Sequence, residues 1–175
     1  MTRSVRELDA LIRDIPDFPQ PGILFKDITP LLAAPGALAD AIDLMVEAVK
    51  PHAFDVIVAT ESRGFLFAAP LADRLKVGLV PVRKVGKLPH QTLRIDYTLE
   101  YGTNTLEIHR DAITPSQKVL IVDDLLATGG TVGGCLRLIE QLGGEVTAFA
   151  FLIELTFLKG RALLGDRPIV SLIQY

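Results

Sequence analysis

The chain has 175 residues, of which 49% are hydrophobic, and it carries 18 Lys and Arg against 21 Asp and Glu. This length predicts a single domain over residues 1–175, and this apolar content excludes a disordered chain. The formal net charge of −3 argues against nucleic acid as a partner, and the single cysteine excludes an internal disulfide framework. The charged N-terminus and the short apolar runs predict a cytoplasmic protein with no signal peptide and no membrane span.

The N-terminal part begins with a predicted helix. Ser4 and Glu7 have the spacing of a capping box, and apolar residues at helical spacing extend this predicted helix over residues 4–14. A proline-rich stretch over residues 16–22 then predicts an extended segment. Helical spacing of apolar residues returns over residues 37–50.

Short apolar runs rich in β-branched residues follow, with helical periods between them. Both faces of these runs are apolar, as expected when helices cover a parallel sheet on both sides. The predicted strands are residues 55–59, 78–82, 118–124, 145–155 and 168–173, and the predicted helices are residues 63–76 and 131–142.

Between residues 90 and 110 the apolar pattern changes to strict alternation with polar residues. Alternation predicts a half-exposed β-hairpin, with Gly102 and Asn104 at its turn. Because the hairpin lies between elements of the parallel sheet, we interpret residues 87–109 as a flap on it. The predicted fold class is therefore α/β: a doubly wound, mainly parallel sheet flanked by helices, with a β-hairpin flap.

The most informative segment is VLIVDDLLATGGT, residues 119–131. An apolar strand ends there in Asp123 and Asp124, at the position where α/β sheets bind ligands. The turn that follows can bind an anion through backbone N–H groups at a helix N-terminus, and the acids can accept hydrogen bonds from vicinal hydroxyls. The segment predicts a sugar-phosphate site; the alternative is an ordinary strand-to-helix turn. The residues of the predicted anion-binding turn are Ala127, Thr128, Gly129, Gly130 and Thr131.

This segment resembles the phosphoribosyl-pyrophosphate signature of the type I phosphoribosyltransferases, an apolar run followed by an acidic pair and a T-G-G-T-like turn. Further segments resemble the adenine phosphoribosyltransferases in particular, and they occur in that family's order over nearly the whole chain. These segments are FPQPGILFKDITPLL (18–32), ESRGFLF (61–67), VRKVGKLP (82–89), YTLEYG (97–102) and IELTFLKGR (153–161).

The resemblance implies a purine salvage enzyme, a glycosyltransferase that joins N9 of adenine to C1′ of phosphoribosyl pyrophosphate and gives AMP and pyrophosphate. The transition state is expected to be oxocarbenium-like at the ribose. Asp123 and Asp124 would bind the ribose, and the turn over residues 127–131 would bind the 5′-phosphate. The family is dimeric, and the apolar segment 64–71 is suited to a homodimer interface.

The departing pyrophosphate needs positive charge. The residues that the resemblance places there are Ser62, Arg63, Arg83, Lys84 and Lys87. Arg63 and Lys87 are the implied catalytic residues among them, and Arg63 also follows the predicted strand 55–59 directly, at a carboxyl end. Mg²⁺ is the implied cofactor, held mainly by substrate phosphates and water rather than by protein ligands.

The resemblance places adenine on a purine-recognition segment over residues 15–32. Phe25 would stack on the base, which contributes about 1–3 kcal/mol. The backbone around Leu24 and Lys26 would read the purine edge. A carbonyl there accepts from the 6-amino group of adenine, whereas a 6-oxo purine would present a second acceptor.

Two flap residues complete the implied site. Glu100 matches the acidic residue of the family's loop and is the candidate for proton transfer, although an exposed hairpin glutamate is the alternative. A carboxylate that flap closure desolvates has a raised pKa, which brings it nearer to the working pH. Tyr101 would help to close the site.

Two other functions are compatible with the phosphoribosyl-pyrophosphate signature alone. A phosphoribosyltransferase for hypoxanthine, xanthine or orotate is opposed by FPQPGILFKDIT (18–29) and YTLEYG (97–102). A non-catalytic regulator that senses phosphoribosyl pyrophosphate would bind nucleic acid, and the negative net charge opposes it.

Overall fold

The computed structural model describes residues 2–98 and 103–175, apart from the side chains of Thr98 and Thr103. The chain forms two compact units, Met1–Leu44 and Met45–Tyr175. The single domain over residues 1–175 stays a prediction. Within the described ranges, none of the helices has the length and apolar content that crossing a bilayer requires.

The elements that begin in the N-terminal unit are α1 (Val5–Asp9), β1 (Arg13–Pro16), β2 (Leu24–Asp27), α2 (Thr29–Ala33) and α3 (Ala37–Val49). The capping box at the start of α1 is confirmed: the Glu7 backbone N–H donates to the Ser4 hydroxyl, and the Ser4 N–H donates to the Glu7 carboxylate at 2.8 Å. Strands β1 and β2 pair antiparallel in a two-stranded sheet.

The helix predicted over residues 4–14 is wrong beyond Asp9, because the chain turns there and β1 begins at Arg13. Apolar spacing fits a helix there, but Pro16 disfavours helical backbone in the residue before it. Pairing with β2 also brings Arg13 within 2.6 Å of the Asp27 carboxylate. Cross-strand contacts therefore prevail over the local helical pattern.

The larger unit contains β3 (Val56–Thr60), α4 (Gly64–Leu75), β4 (Gly78–Lys84), β5 (Thr92–Thr98), β6 (Thr103–His109), β7 (Lys118–Leu126), α5 (Gly130–Gln141), β8 (Glu145–Glu154) and β9 (Ile169–Gln174). Seven strands of the described chain form one sheet in the order β5-β6-β4-β3-β7-β8-β9. The pairs from β4 to β9 along this order are parallel. Two 3₁₀ helices, Thr156–Leu158 and Gly160–Leu163, connect β8 to β9.

The sheet buries both of its faces, which explains why its strands are apolar throughout. On β3, Val56 and Val58 belong to the same core cluster as Val132 and Cys135 of α5. Ile57 points to the opposite face, since side chains alternate along a strand, and it is also fully buried. Helix α4 packs on β3, β4 and β7. The predicted mainly parallel sheet flanked by helices is confirmed.

The predicted hairpin is present as β5 and β6, and it extends the central sheet. β6 pairs antiparallel with β4, with Arg83 opposite Glu107. Asn104 lies within β6 opposite Tyr97, so its prediction as a turn residue is wrong. Gly102, the other predicted turn residue, lies outside the described residues.

Candidate active site

Strands β4, β3 and β7 are parallel neighbours, so their carboxyl ends meet at one edge of the sheet. The segments that follow these strands are residues 61–64, 85–88 and 127–131. Most residues of the predicted ribose, phosphate and pyrophosphate sites lie in these segments or at the strand ends beside them. The fold therefore brings them to the edge where α/β sheets bind ligands.

Asp123 is buried near the end of β7, and its carboxylate accepts two hydrogen bonds. The Thr60 hydroxyl at the end of β3 donates to Oδ2 at 2.5 Å, and the Asp124 backbone N–H donates to Oδ1 at 2.9 Å. Burial and then the negative charge of Asp124 raise the pKa of the Asp123 carboxyl well above its usual range. Positive charge brought into this site would relieve that cost.

Asp124 is buried beside it and forms an ion pair with Arg63, with 2.8 Å between Oδ2 and Nε. Burial raises the pKa of the Asp124 carboxyl, and the Arg63 guanidinium opposes part of this shift. Sequence analysis assigned the two residues to different parts of the ligand. The structure brings them into direct contact.

The start of α4 lies directly against Asp123. A Cβ on Gly64 would lie 2.7 Å from Asp123 Oδ1 and 3.2 Å from the Val122 carbonyl oxygen. Real Cβ atoms do not approach that closely, so a larger residue would displace either the helix or the carboxylate. Glycine at this position therefore permits the close approach of the α4 start to Asp123.

The turn after β7 has the geometry of an anion-binding helix start. Gly129 has a φ of +84°, a left-handed conformation that favours glycine, and α5 begins at Gly130. The Gly129 carbonyl accepts from the Gly133 N–H at 2.8 Å. The first N–H groups of a helix point outward with the positive end of its dipole, and Thr128 and Thr131 add hydroxyl donors. This turn can bind a phosphate.

A second segment supports this turn from behind. A Cβ on Gly129 would lie 2.6 Å from the Gly160 carbonyl oxygen, and a Cβ on Gly160 would overlap the Ala127 carbonyl oxygen. The backbone of the 3₁₀ segment after β8 therefore packs directly on the backbone of the turn. Gly160 is part of the segment 153–161 that carried the family resemblance, and this contact gives it a physical role.

The supporting segment is itself fixed by a buried carboxylate at the end of β8. Arg161 donates to Glu154 through Nε at 2.5 Å and through its terminal nitrogen at 2.6 Å, and Ser171 of β9 donates at 2.6 Å. The Arg161 hydrogen bonds outweigh burial and lower the pKa of the Glu154 carboxyl. A bidentate guanidinium–carboxylate pair also fixes orientation, so it holds Gly160 against the turn.

Glu61, which follows β3, binds the two cationic residues at the end of β4. Its carboxylate accepts from the Lys84 backbone N–H at 3.1 Å and from Arg83 Nε at 3.2 Å. Burial opposes ionisation, but these two donors outweigh it and lower the pKa of the Glu61 carboxyl. Ser62 and the side chain of Lys87 are exposed at the same edge.

The predicted purine residues lie on β2 in the N-terminal unit. Leu24 is exposed and Phe25 is half-buried, with the Phe18 ring at 5.1 Å and 74° to it. The Lys26 ammonium forms an ion pair with Asp14 across the two strands at 2.6 Å. An aromatic face beside an exposed strand end is a surface on which a flat base can stack.

Two predicted flap residues, Glu100 and Tyr101, lie outside the described residues. Their roles stay predictions.

Sequence reasoning missed four residues that shape the site: Thr60, Gly64, Glu107 and Gly160. The predicted strand stopped one residue before Thr60. The two glycines lie in segments that carried the family resemblance, but the local sequence does not show which part of the backbone a glycine approaches. Glu107 alternates with apolar residues in the hairpin that was predicted to be half-exposed, yet it is fully buried.

Comparison with known proteins gives consistent matches. A family model described as the phosphoribosyl transferase domain matches residues 27–162. The chain is 58% identical to an adenine phosphoribosyltransferase of Chloroflexus aurantiacus over 175 residues, which is 100% of both chains. The crystal structure of adenine phosphoribosyltransferase from Thermoanaerobacter pseudethanolicus is similar with a TM-score of 0.95 at 55% identity, covering 98% of this chain and 100% of that one.

A more distant structure was solved with ligands. Adenine phosphoribosyltransferase of Saccharomyces cerevisiae, complexed with D-2,5-dideoxy-2,5-imino-altritol 1,6-bisphosphate and adenine, has a TM-score of 0.89 at 42% identity. The match covers 96% of this chain and 97% of that one.

We predict that Gly160→Ala weakens binding of ribose 5-phosphate at least tenfold and lowers stability by about 1–3 kcal/mol, the usual cost of overpacking. The added methyl group overlaps the Ala127 carbonyl and displaces the turn. Calorimetric titration and thermal unfolding measure the two effects. Gly133→Ala is the matched control, because a Cβ there lies 4.0 Å from its nearest neighbour, Leu163 Cβ. Equal affinity in the two variants would contradict the role of the Gly160 contact.

We predict that Asp123→Asn stabilises the ligand-free protein at pH 8. The raised pKa of Asp123 means that ionisation costs stability as the pH rises above about 4, the ordinary value for an unfolded aspartate. We expect a rise of about 2–4 °C in the midpoint of thermal unfolding at pH 8, which corresponds to about 1 kcal/mol in a chain of this size. At pH 5 the gain is smaller.

The control for this variant is Asp73→Asn, because the Asp73 side chain is 76% exposed and pairs with a surface lysine, Lys76. Its unfolding midpoint stays close to that of the wild type at both pH values. A destabilised Asp123→Asn protein at pH 8 would show that burial of this charge carries no net cost.

Proposed function

Because the chain belongs to the adenine phosphoribosyltransferase family, we propose that it is a purine salvage enzyme that transfers the 5-phosphoribosyl group of phosphoribosyl pyrophosphate to N9 of adenine, giving AMP and pyrophosphate. The observation that carries the proposal is the full-length similarity to relatives of that name. The buried acidic pair beside a glycine turn at a helix N-terminus gives this similarity a chemical basis.

The acidic pair and the turn suit the two halves of a ribose 5-phosphate. The turn over residues 127–131 would bind the phosphate through N–H groups and hydroxyls. Each ionised carboxylate has about four acceptor positions, so Asp123 and Asp124 can accept from ribose hydroxyls in addition to the donors already bound. Their mutual repulsion favours positive charge on the sugar, which an oxocarbenium-like transition state supplies.

The leaving pyrophosphate would be bound by the cations at the ends of β3 and β4. The ion pair with Asp124 fixes the Arg63 guanidinium beside the ribose acids, so Arg63 can bridge from the sugar to the pyrophosphate. Lys87, Lys84 and Arg83 add positive charge, and Ser62 adds a hydroxyl. Fixed cations at the point where negative charge develops lower the barrier to departure.

We include Mg²⁺ in the proposal as a cofactor that arrives bound to the substrate phosphates. The carboxylate oxygens of Asp123 and Asp124 are hard donors of the type that Mg²⁺ accepts, directly or through water. When bound, the metal would supply positive charge that offsets the charge of the departing pyrophosphate.

Adenine would be recognised by β2. The Phe25 ring would stack on the base, and backbone groups of Leu24 and Lys26 would read its edge. A carbonyl that accepts from the 6-amino group would face an acceptor in a 6-oxo purine, which favours adenine over hypoxanthine or xanthine. Glu100 would transfer the proton at the purine, and Tyr101 would help to close the site.

The proposal extends to a cytoplasmic homodimer. The apolar segment 64–71 includes Leu66, which is 42% exposed on α4, and Leu79 on β4 is also exposed. Large exposed apolar side chains on neighbouring elements are typical of a subunit interface.

The decisive experiment is incubation of the chain with phosphoribosyl pyrophosphate, Mg²⁺ and one base at a time, with pyrophosphate release and nucleotide formation both measured. We expect release with adenine and AMP as the product. Hypoxanthine, xanthine and orotate are the comparison bases, and Asp124→Asn is the inactive control. Turnover of another base in place of adenine would favour the alternative transferase, and binding without turnover would favour a regulator.

We predict that Glu100→Gln lowers kcat about 10²–10⁴-fold, the usual contribution of a general acid or base, while the KM for phosphoribosyl pyrophosphate changes little. The amide keeps the size of the side chain but cannot accept the proton. Initial rates at varied substrate concentrations separate the two parameters. Glu145→Gln, an exposed glutamate at the start of β8, serves as the control. A fully active Glu100→Gln enzyme would eliminate the proton-transfer role.

A further inference from the structure

Glu107 is a charged residue in an unexpected position. It lies on β6 with none of its surface exposed. Burying a carboxylate is costly unless the charge is paired and its oxygens accept hydrogen bonds. A carboxylate retained in such a position therefore points to donors that depend on it.

Those donors belong to the loop after β4. The backbone N–H of Lys87 donates to Glu107 Oε1 at 3.1 Å, and that of Leu88 donates to the same oxygen at 3.2 Å. Gly86, with a φ of +80°, allows the chain to turn back toward β6 at this point. The loop is thus folded around a carboxylate on the neighbouring strand.

A second contact fixes the Lys87 backbone at its carbonyl group. The Arg83 guanidinium donates to the Lys87 carbonyl oxygen at 3.4 Å. The Lys87 backbone is therefore held at both its N–H and its carbonyl, whereas its side chain is exposed at the strand edge. The Lys87 backbone is thus fixed in position, and its ammonium group is carried on an exposed side chain.

The charge of Glu107 is balanced on the side away from the loop. Arg94 of β5 lies 3.1 Å from Oε2, and its side chain is 57% exposed. Burial opposes ionisation, but the N–H groups of Leu88 and Lys87 and the charge of Arg94 outweigh it and lower the pKa of the Glu107 carboxyl. An ionised acceptor binds N–H groups more strongly than a neutral one, and its pairing with Arg94 reduces the repulsion that it would exert on a bound polyanion.

We propose that Glu107 is a positioning residue for the leaving group: it holds the Lys87 backbone so that the Lys87 ammonium meets the pyrophosphate of the substrate. The inference rests on the function proposed above. A loop that is already ordered before binding does not have to give up conformational freedom when the ligand arrives. Removing the contacts that order the loop therefore weakens binding of the pyrophosphate-bearing substrate.

Two conservative variants separate the effect of side-chain length at position 107 from the effect of its charge. Glu107→Gln keeps an oxygen at the same distance, so it can still accept from both N–H groups. Glu107→Asp keeps the charge but withdraws the oxygens by one methylene group. We expect Glu107→Asp to raise the KM for phosphoribosyl pyrophosphate roughly tenfold, with the KM for adenine within about twofold. We expect the KM for phosphoribosyl pyrophosphate in Glu107→Gln to stay close to the wild-type value.

A double-variant comparison tests whether Glu107 acts through Lys87. Residues that act as one unit have non-additive effects. We expect Lys87→Gln to raise the same KM, and Glu107→Asp to add little when Lys87 is already replaced. Arg110→Gln is the control, because Arg110 is an exposed cation just after β6 on the same hairpin.

Three results would overturn the proposal: a wild-type KM for phosphoribosyl pyrophosphate in Glu107→Asp, additive effects of the two substitutions, or equal losses of kcat in Glu107→Asp and Glu107→Gln with unchanged KM values. The last pattern would indicate a merely structural role. Failure of the proposed function is distinct, since the wild-type chain would then release no pyrophosphate with adenine.

Discussion

The structure depends on one electrostatic constraint: two successive aspartates are buried side by side near the end of the central strand β7, and burial raises the pKa of both carboxyls. Three neighbouring residues reduce the cost of burying these carboxylates. Thr60 donates a hydroxyl to Asp123, Arg63 contributes a guanidinium to Asp124, and Gly64 removes the side chain that would block the approach. Burial still raises the pKa of both carboxyls despite these contacts. Positive charge brought into the site by a ligand would therefore stabilise their ionised forms.

Other acidic residues in the larger unit are stabilised in their ionised forms by neighbouring donors. Glu61, Glu107 and Glu154 all have lowered pKa values, and each holds a segment of the candidate site from behind through backbone N–H groups or an arginine. The excess of acids in the composition is therefore compatible with a polyanion site. These carboxylates orient positive groups, and the cations and N–H groups form the surface that a phosphate would meet.

Much of the fold could be predicted from the sequence, because parallel strands buried on both faces and their helices are strongly periodic. The acidic pair and the glycine turn were also visible, since both lie in one continuous segment. Local patterns failed where distant contacts decide. Residues 13 and 14 fit a helix until pairing with β2 is considered, and Glu107 fits an exposed strand position until the loop after β4 folds onto it. Gly160 carries no local indication that it meets Ala127 and Gly129.

The contact between Gly129 and Gly160 has a consequence for the precision of the phosphate turn. Neither residue has a side chain, so no rotamer is selected when the two backbones meet and no rotamer entropy is lost. Side chains that close a site can fluctuate between staggered states, but this junction has only main-chain dihedral angles to vary. Its geometry therefore depends on those dihedral angles, and the bidentate Glu154–Arg161 pair beside it restrains them.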